Sequence, residues 1–574
     1  MQKRWLVNTT IDSTTVEEFR SVLKVDEVVA ELLLQRGITT FEEAEKFFRP
    51  KLNELHDPFL MKDMKEAVER LQEAIENEER ILLFGDYDVD GTTAVAMMYS
   101  FLKDTAIIDY YIPDRYKEGY GLSKEGIDFA AENAVDLVVS LDCGIKSVEL
   151  VAYAKEKGID FIICDHHTPG PELPDALVLD PKREDCNYPY DELSGCGVGF
   201  KLLQGLCDYN NWDYAKLFEL LDFLAISIGA DIVPVTGENR VLCYHGMERL
   251  NAHPRKAFRE LLLLAKRPFP VTLTDVVFTI APRINAAGRL RSGRFAVDLM
   301  ISDDVDQIDL LAQEINADNT DRRALDKEIT AEALKQIEND PCSNSNVTTV
   351  VFNEKWHKGV VGIVASRLIE THYKPTIVLT ESNGMITGSA RSVHGFDVYE
   401  AICACENLLE QFGGHKYAAG LTMKRENLEA FKAQFEQAVK ERIQPELLVP
   451  EQKIDLNLSF NQIFTSQENR LQLPRLKRIL SQFEPHGPGN MKPVFTSNNV
   501  FSTDVRILKE VHLKLAMTQP DSDLVIEGIG FNMSEKMDTV ASGLPFQVAY
   551  TLESNKWNGK ETIQLNLKDV REML

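Results

Sequence analysis

Aspartate and histidine residues follow four apolar segments of this chain, and they offer its clearest chemistry. The segments end in four polar groups: Gly85-Asp86-Tyr87-Asp88-Val89-Asp90-Gly91, Asp142-Cys143-Gly144, Asp165-His166-His167 and Ala230-Asp231-Ile232-Val233-Pro234. The first three segments are short and β-rich, and each continues through turn residues into a helical pattern. This pattern predicts strands of an open parallel sheet, whose carboxyl ends share the edge at which such sheets bind ligands.

Carboxylates and imidazoles gathered at one edge predict a divalent-metal site. Taken singly, Asp90, Asp142 and Asp231 are as typical of helix caps or turns, and paired histidines often fill core or surface positions. Their joint occurrence in consecutive units would bring about four to six ligands together, which suits two Mn²⁺ or Mg²⁺ ions. Such centres perform in-line displacement at phosphorus. We find no Ser-His-Asp or Cys-His arrangement that competes with this interpretation.

The composition limits the partners and the compartment. The chain has 574 residues, and 63 Lys and Arg against 90 Asp and Glu give a net charge of −27. Taken alone, this charge disfavours nucleic acid as a partner, although a local basic groove can lie on an acidic body. Nine cysteines without a CxxC pair indicate a reducing compartment. Neither a signal peptide nor a membrane span is predicted, so we expect a soluble, cytoplasmic protein.

The order of helical and strand patterns predicts an α/β protein with several domains. Residues 1–75 are expected to form a helical segment packed on a catalytic domain at 76–302, in which helices alternate with the strands of a parallel sheet. A long connecting helix is expected at 303–341, where few Gly or Pro interrupt the chain. A smaller α/β domain should follow at 342–445, and short alternating runs at 450–574 predict a β-barrel or sandwich.

The four polar groups resemble, in order, the motifs of the DHH phosphoesterase superfamily, and within it the chain is similar to bacterial exonucleases specific for single-stranded DNA. The likeness covers nearly the whole chain and includes Ile112 to Arg115, Glu118 to Leu122, Ala281 to Leu290 and Phe412 to Gly420. It implies a DHH domain, a DHHA1 domain and a C-terminal OB-fold. It also implies 5′→3′ hydrolysis of single-stranded DNA to 5′-mononucleotides in recombination and repair. The enzyme would be a monomer acting beside a single-strand-binding protein and a RecQ-type helicase, with no membrane partner.

The resemblance also implies which residues bind the metals. Asp88 would bind one ion and Asp90 the other, and Asp142 would bridge the two ions. His166 and Asp231 would complete the coordination of the second ion.

Three further residues would support the reaction without binding the second ion. Asp86 and His167 would lie close to the ions, with His167 at the scissile phosphate, and Asp165 would orient a metal-binding histidine through a hydrogen bond. Some members of the superfamily carry a His four residues before the position of Asp88, where this chain has Phe84. The first ion would therefore be held more weakly than the second.

Three groups of residues are candidates for holding the strand. The run from 283 to 294 contains four arginines and no acid, which predicts a phosphate-binding cluster unless the arginines pair with carboxylates elsewhere. Glycine turns in the smaller domain predict an anion-binding cradle, and the resemblance adds two residues for the 5′ end, one of them stacking on a base. The candidates are Arg115, Tyr120, Arg283, Arg289, Ser389, Arg391, Gly413, Gly414 and His415.

Two surfaces would favour a single strand. A basic run beside the predicted barrel is typical of a single-strand platform, and a narrow cleft between the two α/β domains would exclude duplex. The basic residues are Arg470, Arg475, Lys477, Arg478 and Lys492.

Three other classes of function remain open. A DHH enzyme acting on small phosphates, such as a nano-RNase, a nucleotide phosphatase or a pyrophosphatase, would share the metal site, but such relatives commonly lack a third domain. A catalytically inactive nucleic-acid scaffold would have no need of all five metal ligands. The arginine cluster and the glycine cradle argue against a protein that uses metal for structure alone.

Overall fold

The computed structural model describes residues 3–8, 11–464, 473–557 and 560–573. It divides into two units. The sheet unit comprises Ile11–Asn319 and Ile479–Lys492, and the barrel unit comprises Met1–Thr10, Thr320–Arg478 and Pro493–Leu574. Within the described ranges, no helix combines the length and the apolar character that a membrane crossing requires.

The first 75 residues contain a strand as well as the expected helices. Strand β1 (Arg4–Val7) belongs to the barrel unit and pairs in parallel with residues 451–454. The prediction of a helical segment is therefore wrong for residues 4–7, because a partner distant in sequence supplies the hydrogen bonds that make them a strand. The helices that follow are α1 (Ser13–Leu23), α2 (Glu27–Leu34), α3 (Phe41–Phe48) and α4 (Met64–Glu76).

A five-stranded parallel sheet forms the centre of the sheet unit. Its strands and the helices between them are β2 (Arg80–Gly85), α5 (Val89–Leu102), β3 (Ile107–Tyr111), α6 (Lys124–Glu132), β4 (Leu137–Leu141), α7 (Val148–Glu156), β5 (Asp160–Cys164) and β6 (Leu177–Leu179). The strand order is β3-β2-β4-β5-β6, and every neighbouring pair is parallel. Alternate side chains of these strands enter two buried apolar clusters, because helices cover both faces. The predicted parallel α/β sheet is confirmed.

A helical layer completes the sheet unit. Its helices are α8 (Gly195–Asn210), α9 (Ala215–Phe218), α10 (Leu221–Asp231), α11 (Gly237–Ala252), α12 (Lys256–Leu264), α13 (Leu273–Asp275), α14 (Ala281–Leu290) and α15 (Arg294–Ile301), with a π-helical turn at Val276–Ile280. Helix α10 is buried on nearly every side, as its apolar sequence requires. The apolar segment before Asp231 is thus a helix, whereas those before the other polar groups are strands.

The connecting helix α16 (Val305–Asn339) has 35 residues, about 50 Å of helix at 1.5 Å per residue. It matches the helix predicted for the polar stretch, and the division between the two units falls inside it.

The smaller α/β domain contains a mixed sheet. Its elements are β7 (Thr349–Phe352), α17 (Val361–Thr371), β8 (Thr376–Ser382), β9 (Met385–Arg391), α18 (Val398–Cys403), β10 (Gln411–His415), β11 (Ala418–Met423) and α19 (Leu428–Arg442). The strand order is β10-β11-β9-β8-β7, and only β7 and β8 are parallel.

The last part of the chain forms a closed five-stranded barrel. Its elements, with those that precede it, are β12 (Glu451–Ile454), β13 (Leu456–Asn457), α20 (Phe460–Ile463), α21 (Arg475–Ser481), β14 (Phe495–Leu508), β15 (His512–Thr518), β16 (Ile526–Gly530), α22 (Met537–Ala541), β17 (Phe546–Trp557) and β18 (Lys560–Glu572). The order β14-β15-β16-β18-β17 is closed by pairing of β14 with β17. The predicted barrel is confirmed.

Candidate metal centre

Three carboxylates and two histidines converge at the carboxyl edge of the parallel sheet. The imidazole Nε2 of His166, just after β5, lies 3.2 Å from Asp142 Oδ1, 3.6 Å from Asp231 Oδ2 and 3.9 Å from Asp90 Oδ2. Two sets of donor atoms are close enough to hold one ion each: Asp142 with His166 and His167, and Asp90 with His166 and Asp231. The structure therefore brings together the residues predicted to bind the second ion.

The donor atoms at this edge lack the partners that buried polar atoms need. Among the described residues, Asp86 Oδ2, Asp142 Oδ1 and both ring nitrogens of His166 are buried without a hydrogen-bond partner. Leaving such an atom unpaired costs on the order of 2–7 kcal/mol, whereas a bound cation would satisfy it. The donor set of carboxylates and imidazole fits Mn²⁺ or Mg²⁺.

Burial and mutual repulsion raise the pKa of these carboxyl groups. Burial, followed by the charge of Asp88, raises the pKa of Asp86 to about 8, and burial followed by the charge of Asp90 raises the pKa of Asp231 to about 8. The pKa of Asp142 is raised well above its usual range by burial and by Asp90. A divalent cation offsets such repulsion and restores the ionised forms.

Asp90 is anchored by three donors from distant parts of the chain. Its Oδ2 accepts a hydrogen bond from Gly195 N at 2.7 Å, and its Oδ1 accepts from Cys196 N at 2.8 Å and Ser227 Oγ at 2.7 Å. The first two donors belong to the amino terminus of α8, where a negative charge is favourable. The sequence analysis did not identify Gly195, Cys196 and Ser227 as partners of Asp90. The small residues after Ser194, which caps α8, were the available signal that another group approaches this helix end closely.

The first predicted metal position is less complete. Asp88 caps α5 by accepting from Gly91 N at 3.0 Å, and it joins neither close donor set among the described residues. Phe84 packs in an apolar cluster, with its ring stacked 5.2 Å from that of Tyr111, so it offers no ligand.

The Asp165 carboxylate contacts the ring of His167, whereas the sequence predicted that it would orient a metal-binding histidine. Its Oδ1 lies 2.7 Å from His167 Nδ1, and it also accepts from the backbone N–H of His166 at 2.8 Å; Oδ2 accepts from Ile145 N at 2.9 Å. Burial would raise the pKa of Asp165, but these bonds and the histidine charge lower it to about 2. Partial burial would lower the pKa of His167, but Asp165 raises it to about 9.

We expect the substitution Asp165→Asn to lower the pKa of His167 from about 9 back toward its ordinary ~6.5. A folded-state pKa above the unfolded value means that protonated His167 contributes stability fully below ~6.5, and this contribution is lost as pH rises through about 9. NMR titration of the metal-free protein measures the pKa, and urea unfolding between these pH values measures the lost stability. An unchanged His167 titration in the variant would contradict the assignment.

An aromatic and cationic rim adjoins the histidines. The Tyr120 hydroxyl lies 3.0 Å from His167 Nε2, and Tyr120 is 54% exposed. The Arg115 guanidinium lies 4.8 Å from the centre of the Tyr87 ring, which meets the Tyr120 ring edge-on. A Cβ atom at Gly288 would lie 2.7 Å from Tyr87 O, so this glycine allows α14, which carries Arg289, to pack against the Tyr87 loop.

The arginines of the predicted cluster differ in their surroundings, and their binding of phosphate stays a prediction. Arg283 is 8% exposed, and its guanidinium donates to Thr279 O at 2.7 Å and Asn316 Oδ1 at 3.0 Å. Arg291 forms ion pairs with two carboxylates of α16, and Arg294 lies against Tyr110. The donors of Arg283 therefore connect α14 to the π-helical turn and to α16.

The predicted cradle of the smaller domain lies on three neighbouring strands. Ser389 and Gly413 both pair with Gly420, and Arg391 and His415 both pair with Ala418, so each pair flanks β11 at the same level. Arg391 Nη1 donates to Ser389 Oγ at 2.7 Å.

The close approach of these groups depends on glycine. A Cβ atom at Gly362, in the first turn of α17, would lie 2.9 Å from Arg391 Nη2. Gly413 faces open space, whereas a Cβ atom at Gly414, which has a φ of 150°, would lie 2.4 Å from Ala418 O on the neighbouring strand.

The predicted basic platform is divided between the units. Arg470 lies outside the described residues, Lys477 is 8% exposed, and Lys492 belongs to the sheet unit. The run therefore does not form one surface of the barrel, because residues 479–492 pack within the other unit.

Comparison with known proteins agrees with this architecture. Family profiles match the DHH family, N-terminal domain, at residues 80–228, the DHHA1 domain at 344–441 and the RecJ OB domain at 455–569. The single-stranded-DNA-specific exonuclease RecJ of Bacillus subtilis (strain 168) is 36% identical over 565 residues, covering 97% of this chain and 70% of that protein. RecJ of Escherichia coli (strain K12) is 32% identical over 561 residues, covering 94% and 95%.

A solved structure shows the same fold over the whole chain. The crystal structure of RecJ in complex with Mn²⁺ from Thermus thermophilus matches with a TM-score of 0.84 and 29% identity, covering 100% of this chain and 80% of that one. A Mg²⁺ complex of RecJ from the same organism matches with a TM-score of 0.79 and 27% identity, covering 100% and 79%.

These matches assign the chain to the DHH phosphoesterases. With 36% identity over nearly its full length, it belongs to the RecJ family of that class, whose members are metal-dependent exonucleases specific for single-stranded DNA. The predicted family, enzyme class and divalent cofactor are confirmed.

Proposed function

We propose that this protein is a single-stranded-DNA-specific exonuclease that hydrolyses phosphodiester bonds from the 5′ end and releases 5′-mononucleotides. The observation that carries the proposal is the group of buried donor atoms around His166 at the sheet edge, which have no hydrogen-bond partner within the described ranges. The full-length match to RecJ enzymes supports the choice of substrate, and the matched OB domain favours a strand over a small phosphate.

Each candidate ligand has a place in the metal centre. Asp90, His166 and Asp231 would hold one ion, Asp88 with Asp86 nearby would hold the other, and Asp142 would contact both. When bound, the two ions lower the pKa of a water molecule and neutralise charge on the phosphoryl oxygens.

The surrounding side chains bind and orient the strand. Protonated His167, held by Asp165, donates a hydrogen bond to the scissile phosphate. Arg115 binds the 5′ end from its position over Tyr87, and the exposed Tyr120 ring stacks on the terminal base. Arg289 supplies a further cation beside Tyr87.

The smaller domain holds the phosphates of the strand. Arg391 and Ser389 offer charge-assisted and neutral donors, and the open space at Gly413 lets a phosphate approach the backbone, with Gly414 beside it. His415, exposed at the end of β10, extends this cradle.

The cellular setting rests on family membership. We propose action as a monomer in the cytoplasm, in recombination and repair, beside a single-strand-binding protein and a RecQ-type helicase. Co-purification of the tagged chain with either partner tests the association. Degradation of blunt duplex as fast as single strand would contradict specificity for single strands.

The direct test uses a single-stranded oligonucleotide labelled at either end. With Mn²⁺ or Mg²⁺ we expect the 5′ label to be released as mononucleotide, and EDTA to abolish the release. Turnover of dinucleotides or pAp without cleavage of the oligonucleotide would favour the small-phosphate alternative.

We expect the substitution Arg391→Met to raise KM for single-stranded DNA with little change in kcat. A charge-assisted hydrogen bond contributes ~1.5–3 kcal/mol, so KM should rise about tenfold to hundredfold. The matched control is Arg425→Met, which removes an exposed ion pair of the same unit, because such pairs contribute little. A fall in kcat alone would contradict the binding role.

A further inference from the structure

The residue after Asp231 has a strained backbone. Ile232 has a φ of 64° and is 67% exposed. A β-branched side chain in the left-handed region costs about 1–3 kcal/mol and persists only where neighbouring structure holds it. The position of Asp231 therefore depends on what holds residues 232–236.

The loop after Ile232 is held by hydrogen bonds to its backbone. Val235 N donates to Pro488 O at 2.7 Å. Pro234 O accepts from Asn239 Nδ2 at 3.0 Å and from the Tyr190 hydroxyl at 3.2 Å. One of these anchors comes from a segment that is remote in sequence, residues 483–491, which we call the brace.

The brace is itself fixed within the sheet unit by Asn490. Its Nδ2 donates to Phe483 O at 2.7 Å and Pro485 O at 3.0 Å, and its Oδ1 accepts from Arg36 Nε at 2.9 Å. Asn490 is 2% exposed. It therefore closes the brace into a turn and ties that turn to the segment just after α2.

A buried arginine adds a second attachment. Arg240, on α11, donates to Phe483 O at 3.1 Å and to Glu484 O at 3.2 Å. Its guanidinium also donates to Phe47 O and lies 3.9 Å from the centre of the Phe47 ring. Burial lowers its pKa to about 10, so it remains a cation at neutral pH and binds the carbonyl oxygens strongly.

Glycines let the brace touch the loop directly. A Cβ atom at Gly487 would lie 2.4 Å from Val235 Cγ2, and one at Gly489 would lie 2.7 Å from Thr236 Cγ2. Val235 is fully buried, so neither side has room for an added methyl group. The loop at residues 232–236 therefore cannot change its conformation while the brace is packed against it.

We propose that the brace is a positioning element for the metal site: it holds the strained turn at Ile232 and so fixes Asp231 among the metal ligands. The inference rests on the proposed assignment of Asp231 as a ligand. Asn490 and Arg240 act through the loop and touch neither the metal nor the substrate. Groups that orient metal ligands typically change metal affinity about 10–100-fold when they are removed.

The test is Mn²⁺ binding by the full chain without DNA, measured from the EPR signal of free Mn²⁺. Gly487→Ala should weaken the binding of Mn²⁺ about tenfold, because the new methyl group displaces Val235. Adding Val235→Ala to the same chain removes the colliding methyl groups and should restore most of the affinity. Gly487 has no left-handed φ among the described backbone angles, so its backbone accepts alanine.

Arg70→Met is the matched control. Arg70 is a partly buried arginine of the same unit that pairs with Glu79 and Asp160, at the amino end of β5. The Arg70→Met variant should be less stable than the wild type but should bind Mn²⁺ with the same affinity. The proposal would be overturned if Gly487→Ala and Arg70→Met lost Mn²⁺ affinity equally, or if Gly487→Ala bound Mn²⁺ as the wild type does. Nuclease activity of the unsubstituted protein would leave the proposed function standing in either case.

A second variant covers a failure of Gly487→Ala to fold. Asn490→Asp keeps the acceptor for Arg36 and removes the donor to Phe483 and Pro485. Weaker Mn²⁺ binding by this variant supports the brace, and unchanged binding overturns it. Absence of both Mn²⁺ binding and nuclease activity in the wild type would instead contradict the proposed function.

Discussion

Replacing Asp142 with Asn is expected to lower exonuclease activity about a thousandfold, which corresponds to a loss of ~4 kcal/mol of transition-state stabilisation. The same substitution should make the metal-free protein more stable. Asp142 is 2% exposed and faces His166, and its Oδ1 has no hydrogen-bond partner in the described part of the chain. The amide keeps the shape of the side chain but removes the charge that a bridging ligand supplies. Asn is the informative choice because Asp142 has a φ of 63°, a conformation that Asn tolerates and Ala does not.

The stability effect has a defined pH dependence in EDTA. Raised carboxyl pKa values mean that the folded protein keeps protons which the unfolded chain releases, so stability is full below the unfolded pKa of ~4 and falls as pH rises. The pKa values of Asp86 and Asp231, about 8, set the upper end of this window. Between about pH 4 and about pH 8, the free energy of unfolding measured in urea should fall less for Asp142→Asn than for the wild type.

The control for Asp142→Asn is Asp175→Asn, an exposed aspartate of the same unit that pairs with Lys155. It should retain wild-type activity, and its stability should change little, because exposed ion pairs contribute ~0–1 kcal/mol. Cleavage by Asp142→Asn at the wild-type rate would show that Asp142 does not bridge the metals.

Replacing Asp90 with Asn is expected to destabilise the protein by ~3–5 kcal/mol as well as to abolish activity, since removing one partner from a buried charged network has this cost. Both carboxylate oxygens accept from backbone N–H groups of α8. The amide Nδ2 of asparagine would therefore face a donor and leave a buried N–H unpaired. Urea unfolding in EDTA measures the loss without any contribution from metal.

Ser227→Ala separates the two roles of Asp90. This substitution removes one of the three donors to the carboxylate and should cost only ~1 kcal/mol, with activity largely kept. Wild-type stability of Asp90→Asn would contradict the anchoring role.

The sequence by itself determined the local elements and the choice of candidate metal ligands. Short apolar runs before Asp86, Asp142 and Asp165 predicted buried parallel strands, because such strands are apolar on both faces, and a parallel sheet places their polar ends at one edge. The long polar helix at 305–339 and the barrel strands followed from patterns of the same local kind. Such strands and helices depend on residues that are close in sequence, so their hydrophobic periodicity can be detected in the sequence.

The tertiary structure alone decided which polar groups meet. Asp90 is fixed by Gly195, Cys196 and Ser227, and the arginines after 283 differ in role only because α16 supplies partners to some of them. Residues 4–7 become a strand by pairing with residues 451–454, and residues 479–492 join the sheet unit. Hydrogen bonds and burial between remote segments have no period in the sequence, because they arise only once the packed elements bring donors and acceptors within about 3 Å of each other.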